Sequence, residues 1–320
     1  MRKLILFGVA LVLVQIPLLA LTFIGSDVFG GPNGDVARRV ALASDGGVYT
    51  AGTTVSADGD SNAFLRKYDA NRVLQWERAY GLPFDSTNGL DDDFIEGLAV
   101  GPDGSAYMAG MLGTGVLFLA KFDAAGNLVW DSTYGENATI ASGAAVGPDG
   151  HIYVSAHFGG DSSDPTHLES RLLKFDSNGS LVWARAWGGI GEPGVPGFDQ
   201  SHGVATSADG IYMVGETNTF FANDAYLVKF DFNGNLLWQR DWGVDGVQAP
   251  FTGLTAAYGV TTDSAGNAYF TGSTSDSGHL KNIVLVQFSG AGDLIWSKVG
   301  GPGSVQVAMS MFRPTARPCS

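Results

Sequence analysis

Between residues 35 and 301 short apolar runs alternate with clusters of Gly, Asp, Asn and Pro, and no stretch repeats apolar residues at helical spacing. That pattern predicts strands joined by tight turns. One unit shows it most clearly: Gly97 to Val100, Ala106 to Met111, Val116 to Phe122 and Leu128 to Tyr134 read as four consecutive strands. Between them stand Gly101-Pro102-Asp103-Gly104 and Asp123-Ala124-Ala125-Gly126. In such turns Pro presets φ, Asp bonds the backbone two residues on, and Gly accepts a positive φ beside a hairpin bulge. The third strands, Val116 to Ala120, Ala225 to Val228 and Ile283 to Val286, are apolar on both faces. A sheet with one wet face would alternate, so each sheet is expected between two others.

The unit recurs. YDANRVLQW, FDAAGNLVW, FDSNGSLVW, FDFNGNLLW and FSGAGDLIW end at Trp76, Trp130, Trp183, Trp238 and Trp296, at intervals of 54, 53, 55 and 58 residues. A second phrase, seen as GPDGSAY and GPDGHIY, places Gly46, Gly104, Gly150, Gly210 and Gly266 at intervals of 58, 46, 60 and 56. Both markers give a mean period of 55. Five modules therefore run over 35–301, and four short strands per module predict an all-β protein, a β-propeller of four-stranded antiparallel blades. The Trp of each fourth strand is large enough to fill the gap between neighbouring blades. Lys67, Lys121, Lys174 and Lys229 precede the turn aromatic in four modules, and Gln287 in the fifth. They read as solvated or snorkelling strand-end residues.

The ends differ from the modules. Arg2 and Lys3 precede an apolar run from Leu4 to Ile24, so residues 1–25 read as an export signal peptide or a retained hydrophobic transmembrane helix. On that reading the bulk of the chain is extracellular or at the cell surface, and it meets the membrane only through its N-terminal segment. In 302–320, Ser304 to Ser310 resembles Ser201 to Ser207, a partial sixth repeat strand, and an irregular tail holding Cys319 follows. That strand either latches a five-bladed ring or begins a further module.

The phrases K-F-D-x-x-G-x-L-x-W and G-x-A-V-x-x-D-G-x-x-Y-x-x-G resemble the SBBP repeat, the seven-bladed β-propeller type of prokaryotic exported and surface proteins, over about 265 of 320 residues. The resemblance implies a secreted or surface propeller and no defined reaction. Two enzyme-linked propeller motifs are missed. The quinoprotein blade A-x-D-x-x-T-G-K-x-x-W puts Asp and Trp eight apart, whereas Asp123 and Trp130 are seven apart. The sialidase Asp box S-x-D-x-G-x-x-W puts Asp and Gly two apart, whereas Asp123 and Gly126 are three apart.

Charge narrows the partners. There are 32 acidic residues against 18 basic ones, a net charge of −14, so no nucleic-acid partner is expected. Asp outnumbers Glu 26 to 6, which suits turns and not helices. The single Cys319 excludes an internal disulfide and any CxxC site. His151, His157, His167, His202 and His279 have no zinc-type spacing.

Asp58-Gly59-Asp60-Ser61-Asn62 offers oxygens at alternate positions, making Asp58, Asp60 and Asn62 candidate calcium ligands, although Ala63 stands where a Gly is expected and no Glu closes the loop. Asp91 to Asp93, and Asp161 with Asp164, are acidic loop clusters whose ordinary reading is solvation. No organic cofactor is implied. Asn137-Ala138-Thr139 and Asn178-Gly179-Ser180 are candidate glycosylation sequons, the second coinciding with a strand turn.

No G-x-S-x-G elbow or phosphate loop is found, and no residue is assigned as catalytic. Glu96, Glu136, Glu192 and Glu216 sit at loops or loop edges where a general acid could stand. Phe158, Phe220, Phe221, Phe251 and Tyr258 are loop aromatics able to stack on a sugar or a protein. The expected function is a non-catalytic surface scaffold that binds a protein or glycan partner at a loop rim. The alternatives are a carbohydrate hydrolase or lyase with channel carboxylates, and a structural module of a larger envelope protein.

Overall fold

The computed structural model describes residues 34–55, 59–81, 93–113, 115–135, 139–158, 168–188, 198–217, 224–242, 255–275, 281–301 and 304–306. The hydrophobic segment 1–25 and the tail 307–320 lie outside them. All regular structure among the described residues is strand, and no helix there is long and apolar enough to cross a membrane.

Blade 1 holds β1 (Val36–Leu42), β2 (Val48–Val55), β3 (Ser61–Tyr68) and β4 (Leu74–Tyr80). Blade 2 holds β5 (Phe94–Val100), β6 (Ala106–Leu112), β7 (Val116–Phe122) and β8 (Leu128–Tyr134). Blade 3 follows with β9 (Thr139–Val146), β10 (Ile152–Phe158), β11 (Glu169–Phe175) and β12 (Leu181–Trp187). Blade 4 has β13 (Asp199–Ser207), β14 (Gly210–Thr217), β15 (Asp224–Phe230) and β16 (Leu236–Trp242). Blade 5 has β17 (Ala256–Thr262), β18 (Ala268–Ser275), β19 (Lys281–Phe288) and β20 (Leu294–Gly301), and β21 (Ser304–Gln306) pairs antiparallel with β20. The segment that resembles a sixth first strand thus joins the fifth sheet through Ser304–Gln306.

In every blade the strands pair in chain order, all antiparallel. The expected bulge recurs at each third hairpin, between Lys and the turn aromatic: Lys67/Tyr68, Lys121/Phe122, Lys174/Phe175 and Lys229/Phe230. The first strands form the inner row, β1 packing on β5, β5 on β9, β9 on β13 and β13 on β17. This is a β-propeller arrangement of five blades.

The core is therefore four apolar layers, one at each junction between blades. At the first, Tyr49, Ala51 and Leu65 of blade 1 meet Leu98, Met108, Phe118 and Ala120 of blade 2. Trp76, Trp130 and Trp238 each reach across, donating Nε1–H to a carbonyl in the next blade's third turn: Ala124 (3.1 Å), Ser177 (2.9 Å) and Gly290 (3.1 Å). The rings lie on the turn glycine. A Cβ on Gly126 would stand 2.7 Å from Trp76, and one on Gly179 2.7 Å from Trp130. These glycines also hold φ of +84°. Two separate reasons, conformation and close approach, thus demand Gly at one turn position.

Two of the four lysines, Lys174 and Lys229, differ from the sequence expectation, while Lys67 and Lys121 are partly exposed. Lys229 is only 2% exposed, because its ammonium bridges Asp209 of its own blade (2.9 Å) and Gly290 O of the next (3.0 Å). Lys174 does the same with Asp149 (2.8 Å) and Phe232 O (2.9 Å). Each also lies over a buried tyrosine ring, Lys229 over Tyr212 and Lys174 over Tyr153. The ammonium is a clasp between blades, held at low exposure by three kinds of partner.

Gly126→Ala should lower unfolding stability by about 3 kcal/mol, since it adds a clash to an unfavourable φ. Gly150 has φ +75° but nothing within 4 Å of an added Cβ, so Gly150→Ala should cost only about 1 kcal/mol. Urea unfolding of both variants checks the difference, which isolates the junction.

Candidate functional site

Each inner strand carries one extra residue at the same place. The register slips between Ala37 and Arg39 in β1, between Ile95 and Gly97 in β5, at Ser142 in β9, between Ser201 and Gly203 in β13, and between Ala257 and Gly259 in β17. The bulged residues are Arg38, Glu96, Ser142, His202 and Tyr258. A bulge leaves its residue out of the ladder and re-aims its side chain, which is why bulges gather at binding sites.

The residues that follow the bulges explain the close approach of the strands. Gly97, Gly143, Gly203 and Gly259 stand after four of them. A Cβ on Gly97 would lie 2.9 Å from the backbone of Gly143, and one on Gly143 would lie 3.1 Å from Gly203 Cα. Blade 1 has Arg39 instead, and its guanidinium extends across the row to Glu96 O (2.6 Å) and Ser142 O (3.4 Å).

The row has two polar ends and a neutral middle. At the first end Glu96 pairs with Arg38 (2.6 Å) and Arg39 (2.8 Å), all three partly exposed. In the middle Ser142 Oγ meets Ser201 Oγ at 2.7 Å, both buried. At the far end His202 Nε2 faces Glu216 Oε1 at 3.6 Å, and the His202 ring lies 5.3 Å from the Tyr258 ring. Tyr258 is 51% exposed and accepts a hydrogen bond from Ser273 Oγ (3.3 Å). Behind it the buried His157 approaches Gln200 Nε2 at 3.3 Å. Burial, and then the neighbouring His202, push the His157 imidazole down to about 4. His157 is therefore neutral at neutral pH and works as a packing and hydrogen-bonding group.

This end can stack a flat apolar surface on Tyr258 while Glu216 and His202 meet polar edges. Glu96 and Glu216 stand on blades 2 and 4, with a blade between them. They belong to strands, and Tyr258 too is a strand residue, a bulge in β17, not the loop residue its sequence surroundings suggest.

The other sequence candidates fall elsewhere. Asp58 lies outside the described residues. Asp60 is buried and accepts from Asn62 Nδ2 at 2.6 Å, and Asn62 and the buried Asp93 both crowd Gly81. Asp93 Oδ1 accepts the Gly113 N–H at 2.8 Å, so it ties the start of its inner strand to the end of β6. Among the described residues no three His, Cys, Asp or Glu side chains are grouped as metal ligands would be. Asn178 lies in the exposed turn before β12, its backbone N–H on Asp176 Oδ1. Phe158 is covered by the Arg171 guanidinium at 4.1 Å. Asp91, Asn137, Glu136, Asp161, Asp164, Glu192, Phe220, Phe221, Phe251, His167, His279 and Cys319 lie outside the described residues.

The sequence did carry a signal for the row. Arg38, Glu96, Ser142, His202 and Tyr258 are spaced 58, 46, 60 and 56 apart, the same intervals as the turn glycines eight residues later. Reading the repeat for its variable position as well as its constant ones would have found them.

No protein-family model matches the chain, and no curated protein matches it. Solved structures do. A Hadza microbial sialidase aligns with a TM-score of 0.50 and 9% identity, over 82% of this chain and 57% of that one. A crystal structure of glucose dehydrogenase aligns at TM-score 0.43 and 16% identity, over 76% of this chain and 80% of that one. The β-propeller domain of the trilobed protease from Pyrococcus furiosus aligns at 0.39 and 9%, over 85% and 97%. The first of these supports the fold class, a β-propeller. This chain spans 57% of the sialidase's length.

Stability should depend on His157. The imidazole is neutral in the fold down to about pH 4 but protonates near 6.5 when unfolded, so the unfolded state binds more protons between those values. Stability contributed by the neutral form is present above pH 6.5 and declines as pH falls towards 4, by on the order of 3 kcal/mol. His157→Gln should flatten the profile in that window, as read by urea unfolding at pH 4 to 7 relative to wild type.

Proposed function

We propose that the chain is a non-catalytic binding scaffold, exported or held at the cell surface, that takes a glycan at the His202–Glu216–Tyr258 end of the inner row. One observation carries the reading. A half-exposed tyrosine and a histidine ring, both at inner-strand bulges of blades 5 and 4, converge with the carboxylate of Glu216 on β14. Sugar rings present C–H faces that stack on aromatics and hydroxyls that pair with carboxylates, and a rigid scaffold holds such groups at low entropic cost. Export rests on the basic start and the apolar run of residues 4–24.

The enzymatic alternative, a carbohydrate hydrolase or lyase, gives Glu96 and Glu216 catalytic work. It is favoured by the presence of both glutamates in one row. It is weighed down by the two arginines that already occupy Glu96. A spacer role in a larger envelope assembly predicts no small ligand at all.

A glycan array followed by calorimetric titration separates these readings. Tyr258→Ala should lower affinity for the captured glycan at least about 10-fold while leaving unfolding stability within about 0.5 kcal/mol, because the ring is half exposed. An intact glycan recovered after incubation supports binding. Cleavage that Glu216→Gln abolishes would establish the enzyme, and a blank array would leave the spacer.

A further inference from the structure

The four junctions follow one rule, and the two ends of the array break it differently. At each junction a trailing face, with apolar residues from the second and third strands and the Trp of the fourth, meets the leading face of the next blade. In register, Leu65, Leu119, Leu172 and Leu227 are trailing residues and are at most 1% exposed. Ala120, Leu173, Val228 and Val286 are the leading residues they face across the four junctions, all fully buried.

Blade 5 carries a complete trailing face that the described residues leave uncovered. Ile283, at the position of Leu117 and Ala225, is 73% exposed where those two are 0%. Leu285, at the position of Leu119 and Leu227, is 36% exposed. Trp296 occupies the place of the junction tryptophans, with the Lys298 ammonium 5.7 Å above its ring, where Arg78 and Arg240 lie over Trp76 and Trp238. In blades 1 and 4 those arginines donate onward to Gly126 O (2.7 Å) and Gly292 O (2.6 Å) of the next blade.

Blade 1 matches that face only in part: Val40 and Leu42, at the register positions of Leu98 and Val100, are apolar and 70% and 74% exposed, but polar residues interrupt the rest. Its third turn, Asp69-Ala70-Asn71-Arg72, has Arg72 at the position of Gly126, Gly179, Gly234 and Gly292, with φ +67°. At those four glycines a Cβ would collide with the preceding blade, with Trp76, Trp130 and Trp238 at three and with Arg185 at the fourth. Arg66 takes the register position of Ala120, Leu173, Val228 and Val286, and pairs with Glu77 at 2.6 Å. Thr50 takes that of Met108, Val154, Met213 and Phe270. Two arginines and a threonine thus stand where every internal leading face is small or apolar.

We infer that the trailing face of blade 5 is a docking surface for a blade-type sheet on another polypeptide, one with an apolar leading face and a D-x-x-G turn. Arg66 and Arg72 keep this chain's own first blade, in the same molecule or in a second copy, from taking that place. The surface continues an interface already built four times in the molecule, which fixes the chemistry of its occupant. A heterologous face of this kind would otherwise close a ring or propagate a filament.

The test uses a surrogate partner made from the full chain. Arg66→Ala and Arg72→Gly give it the matching leading face, and Ile283→Asp removes its own trailing face. Mixed with wild type, it should form a 1:1 complex in sedimentation velocity, and wild type carrying Ile283→Asp should not. A second surrogate, Arg72→Gly with Leu285→Asp, keeps Arg66 and should bind more weakly than the first. Independently, Ile283→Cys in a Cys319→Ser background should react rapidly with a maleimide when alone and about 10-fold more slowly with the surrogate. Absence of a complex with both surrogates, or a complex indifferent to Ile283→Asp, would overturn the proposal. So would a thiol at 283 already protected in the chain alone, since that would place a second copy or the chain itself on the face.

Discussion

The arrangement depends on the contact between a fourth-strand tryptophan and a glycine in the neighbouring blade's third turn. The indole needs a flat, side-chain-free surface and a carbonyl within reach of Nε1, and the D-x-x-G turn supplies both. The turn needs glycine for its own φ, so a single residue satisfies a local and a long-range demand together. Around this contact the other cross-blade bonds are consistent in direction. Arg78, Ser132, Arg185 and Arg240 all donate to the carbonyl of that same glycine. Each blade therefore holds its successor by the backbone of one turn, while the mixed aliphatic and aromatic layers at the junctions supply the apolar burial.

Directionality has a thermodynamic side. At the tryptophan turns the earlier blade donates and the later one accepts, while Thr206 and Thr262 donate back to Val146 O and Thr206 O of the preceding blade. Each blade leans on its sequence neighbours, so stability is a sum over neighbours, as in other stacked repeats. The lysine clasp sharpens the dependence. Lys229 and Lys174 are nearly buried cations whose partners come from two blades, and separating the blades would leave a desolvated charge with half its partners. Blade 5 replaces the clasp with Gln287, which bonds Tyr269 at 2.6 Å within its own blade. Gln287 is buried, and a neutral amide there costs less than an ammonium that has no carbonyl from a following blade.

Most of the fold was legible because its rules are periodic. Two turn phrases and one tryptophan fixed the number of modules, the strand order and the bulged third hairpin, and in blade 2 the third and fourth strands have the expected bounds while the first starts three residues earlier and the second ends one residue later. What escaped was what breaks the period. Lys174 and Lys229 looked like surface residues because a strand-end Lys usually is one, and an Asp of their own blade with a carbonyl of the next makes them interior. Glu96 and Tyr258 looked like loop residues because a bulge interrupts the alternation by which a strand is recognised. Arg72 carries no signal of its own within its turn phrase, and its meaning comes from a contact that other blades make and blade 1 does not.

The inner-strand bulge has a further meaning when the chain is viewed as five copies of one ancestral unit. Nearly every other position answers to a partner: the turn Asp to its amides, the glycine to an indole, the third-strand leucine to the next layer. The bulged residue answers to no ladder, and the five copies hold a guanidinium, a carboxylate, a hydroxyl, an imidazole and a phenol there. The repeat keeps the geometry of that row while its chemistry varies, so five like frames present five different functional groups, one per blade.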